Sequence, residues 1–146
     1  MGNVFDTLAE TYDGWYDTPD GRAIFEAERD CLSSLCRGPF NSWLEVGVGT
    51  GRFAHALGVT TGVDPSPKMV EIAAGRNIET CVGSAEQLPF AEDSFEGVLM
   101  AFTLCFVADA PQALRECHRV LRPGGRLLLG MVPAGSPWGR EYQEKA

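Results

Sequence analysis

The chain predicts an α/β domain with a doubly wound, mostly parallel sheet, and three observations carry that prediction. Short apolar strand signals alternate with amphipathic helical stretches along most of its 146 residues. The run W-L-E-V-G-V-G-T-G-R-F, from Trp43 to Phe53, closes an apolar strand on three glycines and then opens a helix. The run L-R-P-G-G-R-L-L-L, beginning at Leu121, stops a helix and feeds a second apolar strand. Strands that alternate with helices every ~20–30 residues pair in parallel through right-handed crossovers.

The elements follow in order. An aromatic, acidic arm carries Phe5, Tyr12, Trp15 and Tyr16 among Asp6, Asp13, Asp17 and Asp20, with helix expected over 4–12. Thr18-Pro19-Asp20-Gly21 reads as a turn. An amphipathic helix is expected over 22–36, with Ile24, Ala27, Cys31 and Leu35 on one face and Gly38-Pro39 as its stop. Five strands are expected at 42–46, 59–63, 78–82, 97–102 and 126–132, with helices at 50–57, 66–76 and 109–121 between them. Residues 137–142 read as the start of another element, so the sheet is expected to continue into C-terminal strands missing from this chain. The organisation implied is a lid arm and helix over 1–40 and an α/β core over 41–146, a single domain overall.

A net charge of -8 and a pI near 4.7 argue against nucleic acid or an anionic membrane surface as partner. No apolar run approaches the ~18 residues of a membrane span. The opening lacks a secretory pattern, and Met1-Gly2 with Asp6 misses the myristoylation pattern, so a cytoplasmic location is expected. The five cysteines form no C-x-x-C pair and no metal spacing, and Cys31, Cys81, Cys105 and Cys117 are read as small hydrophobes on apolar stripes or strands. No metal site is expected.

The chemistry gathers at the strand ends. Three glycines spaced G-x-G-x-G let the backbone approach a ligand closely, but the spacing is not that of a pyrophosphate-gripping dinucleotide loop. Glu45, just before Gly47, suits an ammonium or a ribose hydroxyl and repels a phosphate. Asp64, 19 residues further on, ends the second strand and can accept both hydroxyls of a ribose; it can equally brace the turn before Pro65. After the third strand, G-S-A-E-Q-L-P-F can line a flat apolar ring or simply pack into the core.

In this order and spacing, with an F-D-x-x-A-x-x-Y-D-like opening over 5–13, these motifs resemble the class I S-adenosylmethionine-dependent methyltransferases. The nearer likeness is to the small-molecule, quinone-biosynthesis branch (methyltransferase type 11), whose fold is Rossmann-like. The resemblance implies S-adenosylmethionine as cofactor and a small-molecule methyl acceptor as substrate. It implies that Glu45, Gly47, Gly49 and Gly51 form the loop under the methionine portion and that Asp64 holds the ribose. Pro65 to Met69 would flank the adenine, with Ser84, Ala85 and Glu86 beside it. Phe102 and Thr103 would face the methyl donor, and Tyr12 and Tyr16 would belong to a lid. Many relatives carry an acid where this chain has Ser84, which implies a weaker contact to the adenine amine. Relatives also continue through two further strands.

His55 and His118 fall on helix faces away from the apolar stripes, Arg52 is read as supporting the loop, and no catalytic base is named. A nicotinamide-dependent oxidoreductase is disfavoured by the glycine spacing and by Glu45. A non-catalytic adenosylmethionine-binding module is the other alternative. The sequence leaves the acceptor and the oligomeric state open. If the arm is a lid, Tyr12→Ala weakens adenosylmethionine binding without unfolding the domain, as titration calorimetry beside a melting curve would show; unchanged affinity removes the lid role.

Overall fold

The computed structural model describes residues 4–145; the myristoylation reading at Met1-Gly2 lies outside them. The elements run α1 (Val4–Trp15), α2 (Pro19–Leu35), β1 (Trp43–Val46), α3 (Arg52–Leu57), β2 (Thr61–Asp64), α4 (Pro67–Ala74) and β3 (Glu79–Val82). They continue as β4 (Phe95–Ala101), a 3-10 turn at Leu104–Phe106, α5 (Ala110–Val120), β5 (Leu121–Gly130) and α6 (Pro137–Lys145). The strands form one sheet in the order β3-β2-β1-β4-β5, and every pair is parallel. The predicted fold class is the observed one.

Side chains alternate between the faces of the sheet because successive Cβ atoms point to opposite sides. One face packs Trp43, Leu99, Ala101 and Leu128 against Leu32, Phe53, Ala54 and Ala73. The other packs Leu44, Val46, Val98 and Met100 against Ala113, Cys117 and Val120 of α5. Both faces of β1 and β4 are therefore covered, as a parallel sheet requires.

Local chemistry sets the helix starts. Thr18 accepts from the Gly21 amide at 3.1 Å with Pro19 in the first helical turn, so the expected turn is the N-terminus of α2. Ser66 and Asp109 cap α4 and α5 in the same way. The expected apolar face of α2 is wrong. Ala27, Cys31 and Leu35 are exposed, while Gly21 and Leu32 are buried and Phe25 packs on Phe53 at 4.9 Å. The stripe is turned by about one residue because Phe25 and Leu32 bury more apolar area than Ala27 and Cys31. Cys105 is exposed as well, against its reading as a packed hydrophobe; Cys117 is buried.

At the other end of the sheet, Leu121 already pairs with Phe95, and Arg126 pairs with Gly97. Pro123-Gly124-Gly125 thus bulges out within β5 instead of preceding the strand, with Gly124 at φ +77°. The element expected at 137–142 is α6.

Gly97 on β4 lies directly under the indole of Trp43, and a Cβ there would overlap the ring. Gly97→Ala is expected to destabilise the fold by about 1–3 kcal/mol, the range for overpacking a filled core, measured by urea unfolding. No loss would mean that the ring moves aside freely.

Candidate functional site

The C-terminal ends of β1 to β4, with the loops that follow them, enclose a cleft of about 330 Å³ closed on one side by α1. A volume of a few hundred Å³ suits a small organic ligand. The cleft stands where the strand order reverses between β1 and β4, the place where neighbouring loops part to opposite faces.

Its floor is the glycine loop. Gly47 has φ +73°, and any Cβ there would run into the side chain of Thr103. Thr103 in turn donates from Oγ1 to the Gly47 carbonyl at 3.3 Å. The Gly47 and Val48 amides donate to the Val63 carbonyl at 2.8 and 3.0 Å, which fixes the loop to the end of β2. Asp64 braces it further. One carboxylate oxygen accepts from the Gly49 amide at 3.0 Å, and the other accepts from the Ser66 amide at 2.9 Å. Burial pushes the Asp64 carboxyl above its ordinary range, these two amides oppose the rise, and Asp6 adds to it.

Glu45 is the least satisfied group. It is 1 % exposed, and its Oε2 has no hydrogen-bond partner although it lines the cleft. Burial drives its carboxyl well above the usual value; an amide bond from Ala54 opposes this, and the charge of Asp64 reinforces it. A buried, unpartnered carboxylate oxygen beside open space fits a cationic donor and rejects a phosphate.

The structure brings nearly all the expected site residues together. Glu45, Gly47 and Gly49 line the cleft from the β1 loop, and Asp64, Pro65 and Met69 line it from the end of β2 and from α4. Ser84, Ala85 and Glu86 border it after β3, Phe102 after β4, Tyr12 from α1 and Tyr16 from the turn that follows α1. Gly51 does not line it. Its φ of +84° starts α3, and a Cβ there would meet Ile78 and Ala73, so it serves helix packing. Glu86 spends its carboxylate on the Ala108 and Asp109 amides at 2.9 and 3.2 Å, tying this wall to the start of α5. Trp15 of the aromatic arm stays outside the cleft and packs edge-on against Tyr16 at 5.1 Å. His55 and His118 are exposed and outside it.

Sequence reasoning missed the turn after β4. Phe106 lines the cleft and meets Phe5 of α1 edge-on at 5.3 Å, so these two rings flank its entrance. The left-handed backbone of Phe102 (φ +59°) turns the chain out of β4 toward this position. The only sequence signal is the apolar run at 104–107 after a strand.

Residues 44–129 match the family model described as a methyltransferase domain. An uncharacterised protein of Mycobacterium tuberculosis is 44% identical over 138 residues, covering 94% of this chain and 48% of that protein. The ubiquinone/menaquinone biosynthesis C-methyltransferase of Geotalea daltonii is 33% identical over 142 residues, covering 86% of this chain and 60% of that enzyme. A solved Thermotoga maritima structure, described as a SAM-dependent methyltransferase and possible histamine N-methyltransferase, superposes with a TM-score of 0.91 at 38% identity. That match covers 97% of this chain and 67% of the other. The chain spans about half the length of the first curated relatives that it matches.

Because the folded protein holds the Glu45 proton above the ordinary value of 4.5, it binds more protons than the unfolded chain once the pH exceeds that value. Stability contributed by this group therefore falls as pH rises from about 4.5 toward the raised folded value. Glu45→Gln is expected to flatten that fall and to stabilise the ligand-free protein at neutral pH, as urea unfolding across a pH series would show. An unchanged slope would mean that the carboxylate is ionised at no cost.

Proposed function

Because the chain belongs to the methyltransferase-domain family, whose cofactor is S-adenosylmethionine, we propose that it transfers a methyl group from that cofactor to a small, apolar acceptor. The observation that carries the reading is the buried Glu45, a residue that lines the cleft and whose Oε2 has no partner, beside the loop that Asp64 braces. The residues present fit the group. Glu45 would take the ammonium of the methionine portion, with Gly47 and Gly49 beneath it, and Asp64 would take the ribose hydroxyls. Pro65 and Met69 would cover one side of the adenine, with Ser84 and Ala85 at its edge.

When bound, the cofactor supplies a methyl group on a sulfonium, already activated for in-line attack. The protein's share is to hold donor and acceptor about 3 Å apart and to keep water out. Tyr12 on α1 and Tyr16 just after it close the cleft, and their ring faces favour a cation by on the order of 1–2 kcal/mol once it is desolvated. Phe102 and Thr103 stand where the methyl end would lie.

Phe5 and Phe106 at the entrance support an acceptor with a flat, apolar body, and the likeness to a quinone-biosynthesis C-methyltransferase points the same way. The net charge of -8 supports a small molecule over nucleic acid, and a cytoplasmic setting goes with this reading. Residues 1–40 would then act as the cover and 41–146 as the binding core. Among the described residues no helix is long and apolar enough to cross a membrane.

Thermal unfolding with S-adenosylhomocysteine tests the proposal, with NAD as the parallel control. At ~100 times its dissociation constant the ligand should add ~2.7 kcal/mol, a rise of several degrees for a domain of this size. NAD should leave the melting point unchanged. A shift with NAD alone would overturn the reading. Binding without transfer to any of a broad acceptor panel would reduce the protein to a binding module.

A further inference from the structure

Arg76 does not itself line the cleft, yet it holds two of the cleft's walls at once. It sits on the turn that ends α4, where Asn77 takes a left-handed φ of +61°. Its Nη1 donates to the Thr50 carbonyl in the glycine loop at 2.8 Å. Its Nη2 donates to both carboxylate oxygens of Asp13 on α1, at 3.1 and 3.2 Å. Arg52, at the end of the same loop, completes the cluster. Its Nε donates to Asp13 at 2.8 Å, its Nη2 donates to the Asp13 carbonyl at 2.8 Å, and both terminal nitrogens reach Asp17. The Arg52 guanidinium also lies 5.5 Å from the centre of the Tyr16 ring, which lines the cleft.

These contacts matter because α1 buries little of itself. Among its described residues Ala9 alone is fully buried, and a single methyl removes little apolar area from water. The helix packs chiefly on α4. Its N-terminal end is tied there by Asp6, which accepts from the Ser66 hydroxyl. Its C-terminal end is tied by Asp13. The side chains of Arg52, Asp13 and Arg76 are 17, 20 and 24 % exposed, so their attraction is screened less than that of a surface pair. Burial raises the Asp13 carboxyl, but bonds from Arg52, Thr50 and Arg76 outweigh it and hold the group below its ordinary value.

We infer that Asp13, Arg76 and Arg52 form an ionic latch which closes α1 and the glycine loop together, and that opening this latch sets how long an adenosyl ligand stays in the cleft. The second clause rests on the adenosyl reading given above. Arg76 is a positioning residue: its fork spans a carbonyl on one wall and a carboxylate on the other. A lysine ammonium, a single point of charge, cannot bridge the two with that geometry. A ligand under α1 leaves only after Tyr12 and Tyr16 swing away, and that movement breaks the Asp13 contacts.

Two measurements on Asp13→Asn, Arg76→Ala and Arg76→Lys test the latch. The first is amide hydrogen exchange in the ligand-free protein. The α1 amides should exchange about five- to tenfold faster in all three variants, while β1 and β4 keep wild-type rates and so report an intact fold. The second is the dissociation of S-adenosylhomocysteine by rapid displacement. It should quicken by a similar factor in the variants, and in wild type as salt is raised, with association changed much less. Unchanged α1 exchange in Asp13→Asn and Arg76→Ala overturns the latch. Faster exchange with unchanged dissociation overturns its control of the ligand. If wild-type protein fails to bind S-adenosylhomocysteine, the adenosyl reading falls, and exchange alone still decides the latch.

Discussion

The position of β1 between β2 and β4 is the constraint on which the rest of the structure depends. Right-handed crossovers carry the chain from β1 to β2 over one face and from β4 to β5 over the other. The loops after β1 and β4 must therefore part, and a crevice opens between them. Much of what makes the crevice polar then sits at or just beyond a strand end: Glu45 and Asp64 near the ends of β1 and β2, the glycine loop after β1 and Thr103 after β4. Since β1 and β4 are buried on both faces, the strand ends are the only places in the middle of the sheet where polar groups can meet a ligand.

Legibility followed sequence distance. The glycine loop, Asp64 and the starts of α4 and α5 were readable because their reasons lie within a few residues of themselves. A left-handed φ asks for glycine, and a helix start asks for a side-chain acceptor. Strand ends shifted by up to two residues, and the start of β5 by five, because pairing with a neighbour decides them. The face of α2 was misread because Ala27 and Cys31 fit the same period as Phe25 and Leu32, and only the surface beneath tells them apart. Gly51 was read as a ligand contact because it shares a motif with two glycines that do line the cleft. The Asp13–Arg76 pair could not be found at all: the partners stand 63 positions apart, and nothing in either neighbourhood announces the other.

The charges are divided by task. Arginines serve the frame. Arg119 pairs with Glu116 at 2.7 Å and donates to the Phe90 and Leu88 carbonyls, pinning the wall after β3 onto α5. Arg52 and Arg76 pin the wall made by α1. Two further carboxylates, Glu45 and Asp64, line the cleft, where the charge of Asp64 raises the proton affinity of Glu45. Two acids left this close in a dry crevice are destabilising unless a cation or a set of hydroxyls joins them. The frame is neutralised from within, and the cleft is not.

The brace at Asp64 also sets a chemical filter. An ionised carboxylate has about four lone-pair directions, and the Gly49 and Ser66 amides occupy two of them, one on each oxygen. What is left is one acceptor site per oxygen, side by side. A sugar with two adjacent hydroxyls completes that count, and a deoxy sugar leaves one site dry and unfilled. A sugar phosphorylated at either hydroxyl brings a negative charge against the acid. On the proposed adenosyl reading, the same two backbone bonds that shape the loop would make Asp64 a counter of hydroxyl groups.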